Sequence, residues 1–374
     1  MRVVFAAGGT GGHINPALAA AQELRRRCPD ADILFIGTKN HMEAELVPKA
    51  GFRFESIRIS GFQRSLLPAD LLHNALTLVR LAFVTGACGK ILSGFSPDVV
   101  VGFGGYVSGP VVRTAHKMGV KTAIHEQNAF PGKTNIALAK YADAVMLTSM
   151  NAAKHMKCAA EPVHTGLPVR QELLAVTREE ARKALGLDPD IPVVLATGGS
   201  LGAESINRAM CEVVARFREK RVCFLFGYGQ LGGFVPGVLA EKGITELSTD
   251  RLRVSEYIYD MANAMAAADL VVSRAGASSL AEIQAMGKAS VLVPSPYVTE
   301  NHQYHNAMAL AENGAAFVIE QKDLTPDALS AYVEKLIREP DVFRATGRAA
   351  RNMAITDAQK KICDIILRLY KDER

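Results

Sequence analysis

Short runs of β-branched and aliphatic residues alternate along the chain with longer amphipathic stretches. Val3-Val4-Phe5, Ile33-Leu34-Phe35-Ile36, Val99-Val100-Val101 and Ala144-Val145-Met146-Leu147 are too short for helices and read as strands buried on both faces. The pattern restarts past residue 190 with Val193-Val194-Leu195, Cys223-Phe224-Leu225-Phe226, Leu270-Val271-Val272 and Val291-Leu292-Val293. Buried strands separated by helical stretches predict parallel sheets covered by helices. Both halves open with a strand, a glycine-rich turn and a helix, at Gly8-Gly9-Thr10-Gly11-Gly12 and Gly198-Gly199-Ser200-Leu201-Gly202. The expected class is α/β, two doubly wound Rossmann-like domains facing across a ligand cleft. The pattern breaks at Gly166-Leu167-Pro168, ahead of a helix over 178–185. That predicts a first domain of residues 1–165 and a second of 166–354. Past Thr325 the sequence reads as helix only, and the last helix, within 355–374, is expected to return to the first domain.

Length and composition fit two domains with full cores: 374 residues, 49% hydrophobic and 22% charged. The net charge of +5 (43 Lys and Arg against 38 Asp and Glu) is too mild for a nucleic-acid footprint, and no basic-aromatic motif accompanies it. Nucleic acid is therefore not an expected partner. The charge is uneven: residues 1–165 carry 18 basic and 11 acidic groups (+7), and 166–374 carry 25 and 27 (−2). The first half thus prefers an anionic neighbour. The six cysteines are scattered, without CxxC pairs or metal-like spacing with His, so neither a disulfide framework nor a zinc site is expected. No apolar run reaches the 18 or so residues that span a bilayer.

Four segments carry chemistry. Gly8-Gly9-Thr10-Gly11-Gly12-His13 follows a strand and opens a helix, so its amides and the helix dipole suit a phosphate. It is a poor nicotinamide fingerprint, because the next strand ends in Gly37-Thr38-Lys39 with no acid for a ribose. His13, the titratable side chain of that loop, is a candidate base or cation. Gly102-Phe103-Gly104-Gly105-Tyr106-Val107-Ser108 repeats the same logic. His125-Glu126-Gln127-Asn128 places four polar side chains at a strand end. Arg274-Ala275-Gly276-Ala277-Ser278-Ser279-Leu280-Ala281-Glu282 offers amides for a phosphate and a carboxylate one to two turns along for two ribose hydroxyls. The acidic pairs Asp30/Asp32 and Asp188/Asp190 precede their strands, at the end opposite the expected site, so they read as solvated turns and no metal is expected.

Taken in order, GGTGGH, GFGGYVSGP, HEQNAFPG, GLPVR, GGSLGA and RAGASSLAE resemble the MurG family along almost the whole chain. That resemblance implies a GT-B fold and an inverting, metal-independent transfer without cofactors. N-acetylglucosamine would pass from UDP-GlcNAc to the 4-hydroxyl of the MurNAc of lipid I, undecaprenyl-pyrophosphoryl-MurNAc-pentapeptide, forming a β1,4 linkage in lipid II. By position it assigns Thr10, Gly11, Gly12 and Asn128 to the donor sugar and diphosphate, and Arg170 and Ser200 to the UDP portion. Ile258 would read uracil through its main chain. Ala277, Ser278, Ser279, Leu280, Ala281 and Glu282 would hold diphosphate and ribose, and Gln303 the GlcNAc hydroxyls. Gly104, Gly105, Tyr106 and Ser108 fall to the acceptor, and His13 or Glu126 to the base. Leu167 and Leu201 stand where members often carry Asn and Gln, which removes two polar side chains and leaves main-chain roles intact.

Two other classes share parts of this pattern. A UDP-GlcNAc 2-epimerase would use the same donor, with His125 or Glu126 in acid-base work. A non-catalytic donor-binding subunit would need only the second half. The apolar stretch Leu66 to Leu92, interrupted by Arg80 and flanked by Arg64 and Lys90, favours a lipid acceptor. It also predicts peripheral docking at the anionic cytoplasmic face of the inner membrane, and the resemblance implies cell-wall synthesis proteins as further candidate partners.

Overall fold

The apolar runs pair into two separate parallel sheets. The computed structural model describes residues 1–59 and 84–372, and the chain divides into one unit of Met1–Pro168 with Asp357–Arg374 and another of Val169–Thr356. The first unit is built from β1 (Arg2–Ala6), α1 (Gly11–Arg27), β2 (Asp32–Gly37), α2 (Glu43–Lys49), β3 (Arg53–Ser56), α3 (84–95), β4 (Val99–Gly102), α4 (Gly105–Lys117), β5 (Lys121–Glu126), α5 (Lys133–Leu138), β6 (Ala144–Leu147) and β7 (Pro162–His164). Its strands lie in the order β3-β2-β1-β4-β5-β6-β7.

The second unit comprises α6 (Gln171–Leu174), α7 (Arg178–Ala184), β8 (Val193–Thr197), α8 (Glu204–Phe217), β9 (Cys223–Gly227), α9 (Val235–Glu241), β10 (Leu252–Ser255), α10 (Met261–Ala267), β11 (Leu270–Ser273), α11 (Ala277–Met286), β12 (Ala289–Leu292), α12 (His302–Ala311), β13 (Phe317–Val318), α13 (Pro326–Arg338) and α14 (Pro340–Asn352). Its sheet runs β10-β9-β8-β11-β12-β13.

Both orders reverse direction once, between β1 and β4 and between β8 and β11, and at such a switch point the loops diverge to leave a crevice at the carboxyl ends of the strands. All four glycine-rich loops singled out in the sequence follow these four central strands. The strands themselves carry the core: Val3, Val4, Phe5, Val99, Val100 and Val101 are fully buried, as are Val193, Val194, Leu195, Leu270, Val271 and Val272.

The last helix, α15 (Ala358–Lys371), lies in the first unit, where Ile362, Cys363 and Ile366 share a core with Ala17, Ala20, Ala21 and Leu24 of α1. Three alanines on one face of α1 let the helices approach closely, and the pair is fastened by Arg27 to Asp364 at 2.7 Å. Each buried isoleucine contributes about 1.5–3 kcal/mol.

Two sequence expectations change here. Of the apolar stretch from Leu66 to Leu92, the part through Phe83 lies outside the described residues. Val84 and Leu92 are buried in the core of the first unit, so those two are not interfacial, and Ile91, partly buried, packs against the same core. The edge strands β3, β7, β10 and β13 were not foreseen. They hold two to four residues each and are partly exposed, so their hydrophobic signal is too short to rise above a loop.

Candidate active site

In the first unit the β1 and β4 loops touch. Gly105 has φ +73°, and a Cβ there would collide with the Gly8 carbonyl oxygen. Only glycine satisfies both demands. Thr10 caps α1 in extended conformation, and the N–H groups of His13 and Ile14 already bond its carbonyl at 3.0 and 3.2 Å. The amides of Gly11 and Gly12 precede the helix ladder, so an anion can meet them together with the positive end of the dipole.

His13 stands at this helix start, half-buried. Its Nδ1 lies 3.2 Å from the Gly8 carbonyl oxygen and 3.2 Å from Thr10 Oγ1. A carbonyl can only accept, so Nδ1 carries the proton and Nε2 is the basic nitrogen. The Nε2 edge faces Gly104, where a Cβ would come within 3.2 Å of it. Tyr106 flanks the loop, and burial raises its hydroxyl pKa above the ordinary value.

The loop rests on a residue that sequence reasoning missed. Glu43, buried on α2, accepts from the Thr38 amide at 3.0 Å, the Thr38 hydroxyl at 2.6 Å and the Gly9 amide at 3.4 Å. Nothing in its local sequence marks it, since the partners come from two other loops.

The HEQN segment divides differently from the expectation. His125 is fully buried between Gly166, whose carbonyl accepts its Nε2–H at 2.9 Å, and Gln127, and it stacks on Phe103 with ring centroids 5.2 Å apart. Desolvation pushes its pKa down to about 4. It is neutral at working pH and out of reach of a substrate. Glu126 is also buried, and its two oxygens accept from the Asn128 amide at 2.9 Å, Asn128 Nδ2 at 3.2 Å, the Gly132 amide at 3.1 Å and Asn135 Nδ2 at 2.8 Å. Four donors occupy the lone pairs a base would use, so this carboxylate organises the 128–132 loop. Ser108 is likewise corrected. It has no accessible surface, and its hydroxyl serves the carbonyls of Ala6 at 2.8 Å and Gly104 at 2.7 Å. It braces the two loops and cannot touch an acceptor.

In the second unit the loop after β8 is locked against the loop after β9. Gly202 has φ +84°, a Cβ there would collide with the Tyr228 carbonyl, and the Gln230 amide donates to Ser200 at 3.1 Å. Beside Ser200 lies a cavity of about 120 Å³ lined by Arg170, Thr197, Gly227, Tyr257, Ile258, Met265, Ser279 and Glu282, among others. A wider one of about 720 Å³ continues from Gly199 and Ser200 past Arg274, Ser295, Tyr297 and Gln303.

Arg170 and Glu282, 112 positions apart in sequence, meet in the smaller cavity: Arg170 Nε donates to Glu282 Oε1 at 2.7 Å. That bond raises the arginine pKa above its ordinary value. The two residues were expected to contact different parts of a nucleotide; here one orients the other. Both line the same cavity as Ser279 of α11, and the α11 amides at Ala277, Ser278 and Ser279 precede the helix ladder. Leu280 and Ala281 do not belong to this set. The Leu280 N–H already donates to Gly276 at 3.0 Å, and both side chains are buried.

Arg274 is a second residue the sequence reading left without a role. Its guanidinium, whose pKa burial lowers from the ordinary value, donates to the carbonyls of Val293 and Pro294, to Ser205 Oγ and to Gln321 Oε1.

Residues 3–147 match the glycosyltransferase family 28 N-terminal domain, and residues 193–362 the glycosyltransferase family 28 C-terminal domain. A protein of Acetivibrio thermocellus is 43% identical over 376 residues, covering 100% of this chain and 99% of its own. One of Desulforudis audaxviator is 44% identical, covering 99% and 98%. Both are named UDP-N-acetylglucosamine--N-acetylmuramyl-(pentapeptide) pyrophosphoryl-undecaprenol N-acetylglucosamine transferase. Among solved structures, Acinetobacter baumannii MurG aligns with a TM-score of 0.79 at 29% identity, covering 98% of this chain and 99% of that one. UDP-GlcNAc 2-epimerase from Neisseria meningitidis aligns with a TM-score of 0.65 at 12% identity, over 98% and 100%, a likeness of fold alone.

Proposed function

This chain belongs to the MurG family of family 28 glycosyltransferases, and on that premise we propose that it transfers GlcNAc from UDP-GlcNAc to MurNAc-pentapeptide pyrophosphoryl-undecaprenol, making lipid II for peptidoglycan synthesis. The observation that carries the donor half is the juxtaposition of Glu282, held by Arg170, with the open amides of Ala277 to Ser279. It sets a carboxylate that accepts ribose hydroxyls one turn from a diphosphate seat. Ile258 would read uracil through its main chain, Ser200 would bond the diphosphate, and Gln303 would meet the sugar in the wider cavity. From the first domain, Thr10, Gly11, Gly12 and Asn128 would face the donor sugar and diphosphate, with Gly104, Gly105 and Tyr106 on the acceptor.

In this mechanism His13 Nε2 takes the proton of the acceptor's 4-hydroxyl as that oxygen attacks C1 of GlcNAc. The C1–O bond to UDP breaks in the same step, which inverts the anomeric carbon and gives the β1,4 linkage. The charge that collects on UDP is received by the α11 amides and Arg170, the stabilisation a metal would otherwise supply. Glu282→Ala is expected to weaken UDP binding by about 1.5–3 kcal/mol, the range for hydrogen bonds to a charged group. Calorimetric titration with UDP checks this, and equal affinity in the variant contradicts the ribose assignment.

The lipid acceptor requires contact with a membrane. Among the described residues no helix is long and apolar enough to cross one. We assign docking at the cytoplasmic face of the inner membrane to the first domain, on its +7 charge over residues 1–165 and the apolar run between Arg64 and Phe83. Flotation with vesicles checks it. Binding should need anionic lipid, weaken with salt, and fall when Leu76, Val79 and Phe83 are changed to Ser in a folded protein. Equal flotation of that variant would contradict it.

A further inference from the structure

Gln303 sits in the first turn of α12, just after Glu300 and Asn301, two residues held in left-handed conformation at φ +52° and +48°. Non-glycine residues there are strained, and strain of this kind persists where the surroundings over-determine it. The surroundings are identifiable. The Ser295 amide donates to Gln303 Oε1 at 2.9 Å. Since a backbone N–H can only donate, this bond turns the side-chain oxygen toward Ser295 and the amide NH2 away from it, in the cavity that Gln303 lines. Ser295 in turn follows the two carbonyls, Val293 and Pro294, that Arg274 grips at 3.1 and 3.3 Å. The other edge of the guanidinium is tied to Ser205 Oγ at 3.2 Å and Gln321 Oε1 at 2.7 Å. A planar fork spanning a helix start and a strand end is a rigid strut that a lysine cannot reproduce.

We infer that Arg274 is a positioning residue for donor-sugar specificity: by clamping the Val293 and Pro294 carbonyls it aims the Ser295 N–H, which captures the Gln303 oxygen and presents the Gln303 NH2 to a ring hydroxyl. Arg274 acts through two intermediaries, and its effect falls on the sugar and spares the nucleotide. This rests on the assignment of Gln303 to the donor sugar.

The test compares Arg274→Lys, Gln303→Met and the double variant in KM for UDP-GlcNAc, Ki for UDP, preference over UDP-N-acetylgalactosamine, and melting temperature. Arg274→Lys should raise the KM about fivefold to tenfold, the worth of one hydrogen bond, leave the UDP Ki within about twofold, and shrink the preference between epimers. Gln303→Met should do the same, and the double variant should add little to either. A UDP Ki that rises in step with KM would place Arg274 on the diphosphate and overturn the proposal. A lower melting temperature with unchanged KM would make the clamp merely structural and also overturn it. If Gln303→Met is impaired while Arg274→Lys keeps the native KM and preference, the relay alone falls. If Gln303→Met is itself unimpaired, the parent assignment falls and takes the proposal with it.

Discussion

His13→Ala is expected to lower kcat by about 10²-fold or more, the cost of removing a positioned general base. The argument is geometric before it is electrostatic. The Gly8 carbonyl fixes the proton on Nδ1, so the basic nitrogen is held at the start of α1 whenever the loop is formed. The other two titratable candidates of the same unit are otherwise engaged: Glu126 has its oxygens filled by Asn128, Gly132 and Asn135, and His125 is fully buried and neutral. Because the role proposed for His13 is on the acceptor hydroxyl, KM for UDP-GlcNAc should change far less than kcat. Steady-state kinetics of the variant, with circular dichroism to verify folding, separate the cases. An unchanged kcat would remove His13 as base. A large rise in donor KM with kcat preserved would make it a binding residue. Glu126→Gln is the natural companion. It turns one of the two oxygens into a donor, and each oxygen accepts from one backbone amide and one side-chain amide, so its damage should appear as a lowered melting temperature along with lost activity.

The fold was legible because the central strands are nearly pure apolar runs and each is followed by a glycine loop. Val3 to Phe5 and Val193 to Leu195 could hardly be anything but buried parallel strands, and their loops mark the switch points. What escaped was whatever depends on pairs distant in sequence. The Arg170–Glu282 bond joins positions 112 apart, and Glu43 holds two loops from a helix whose sequence looks like any amphipathic surface. Motif matching also assigned whole segments where the backbone admits only part of them. In the 277–282 segment the helix ladder claims the Leu280 amide and the core claims the Leu280 and Ala281 side chains. In GFGGYVSGP the serine that resembles a ligand is the brace beneath the loop. These distinctions follow from which N–H groups a helix leaves open and which hydroxyls its core consumes, and neither can be read from residue type alone.

The central claim is that this site moves a sugar to a lipid-linked acceptor without a metal, and the largest effect expected of any measurement is the dependence of turnover on that acceptor. On the proposed reading the open amides of α11 and the Arg170 guanidinium would receive the charge of the leaving diphosphate, so excess chelator should leave most of the rate. Donor alone should remain intact, because His125 and Glu126, the residues an epimerase would use for acid-base work, are both buried. The decisive measurement is incubation of the purified protein with labelled UDP-GlcNAc and excess EDTA, with and without a lipid I analogue, followed by analysis of both nucleotide sugar and lipid. The expected result is a disaccharide lipid and an equal amount of UDP only when the acceptor is present. Formation of UDP-ManNAc from the donor alone with no disaccharide lipid, or activity that EDTA abolishes and Mg²⁺ or Mn²⁺ restores, would contradict it.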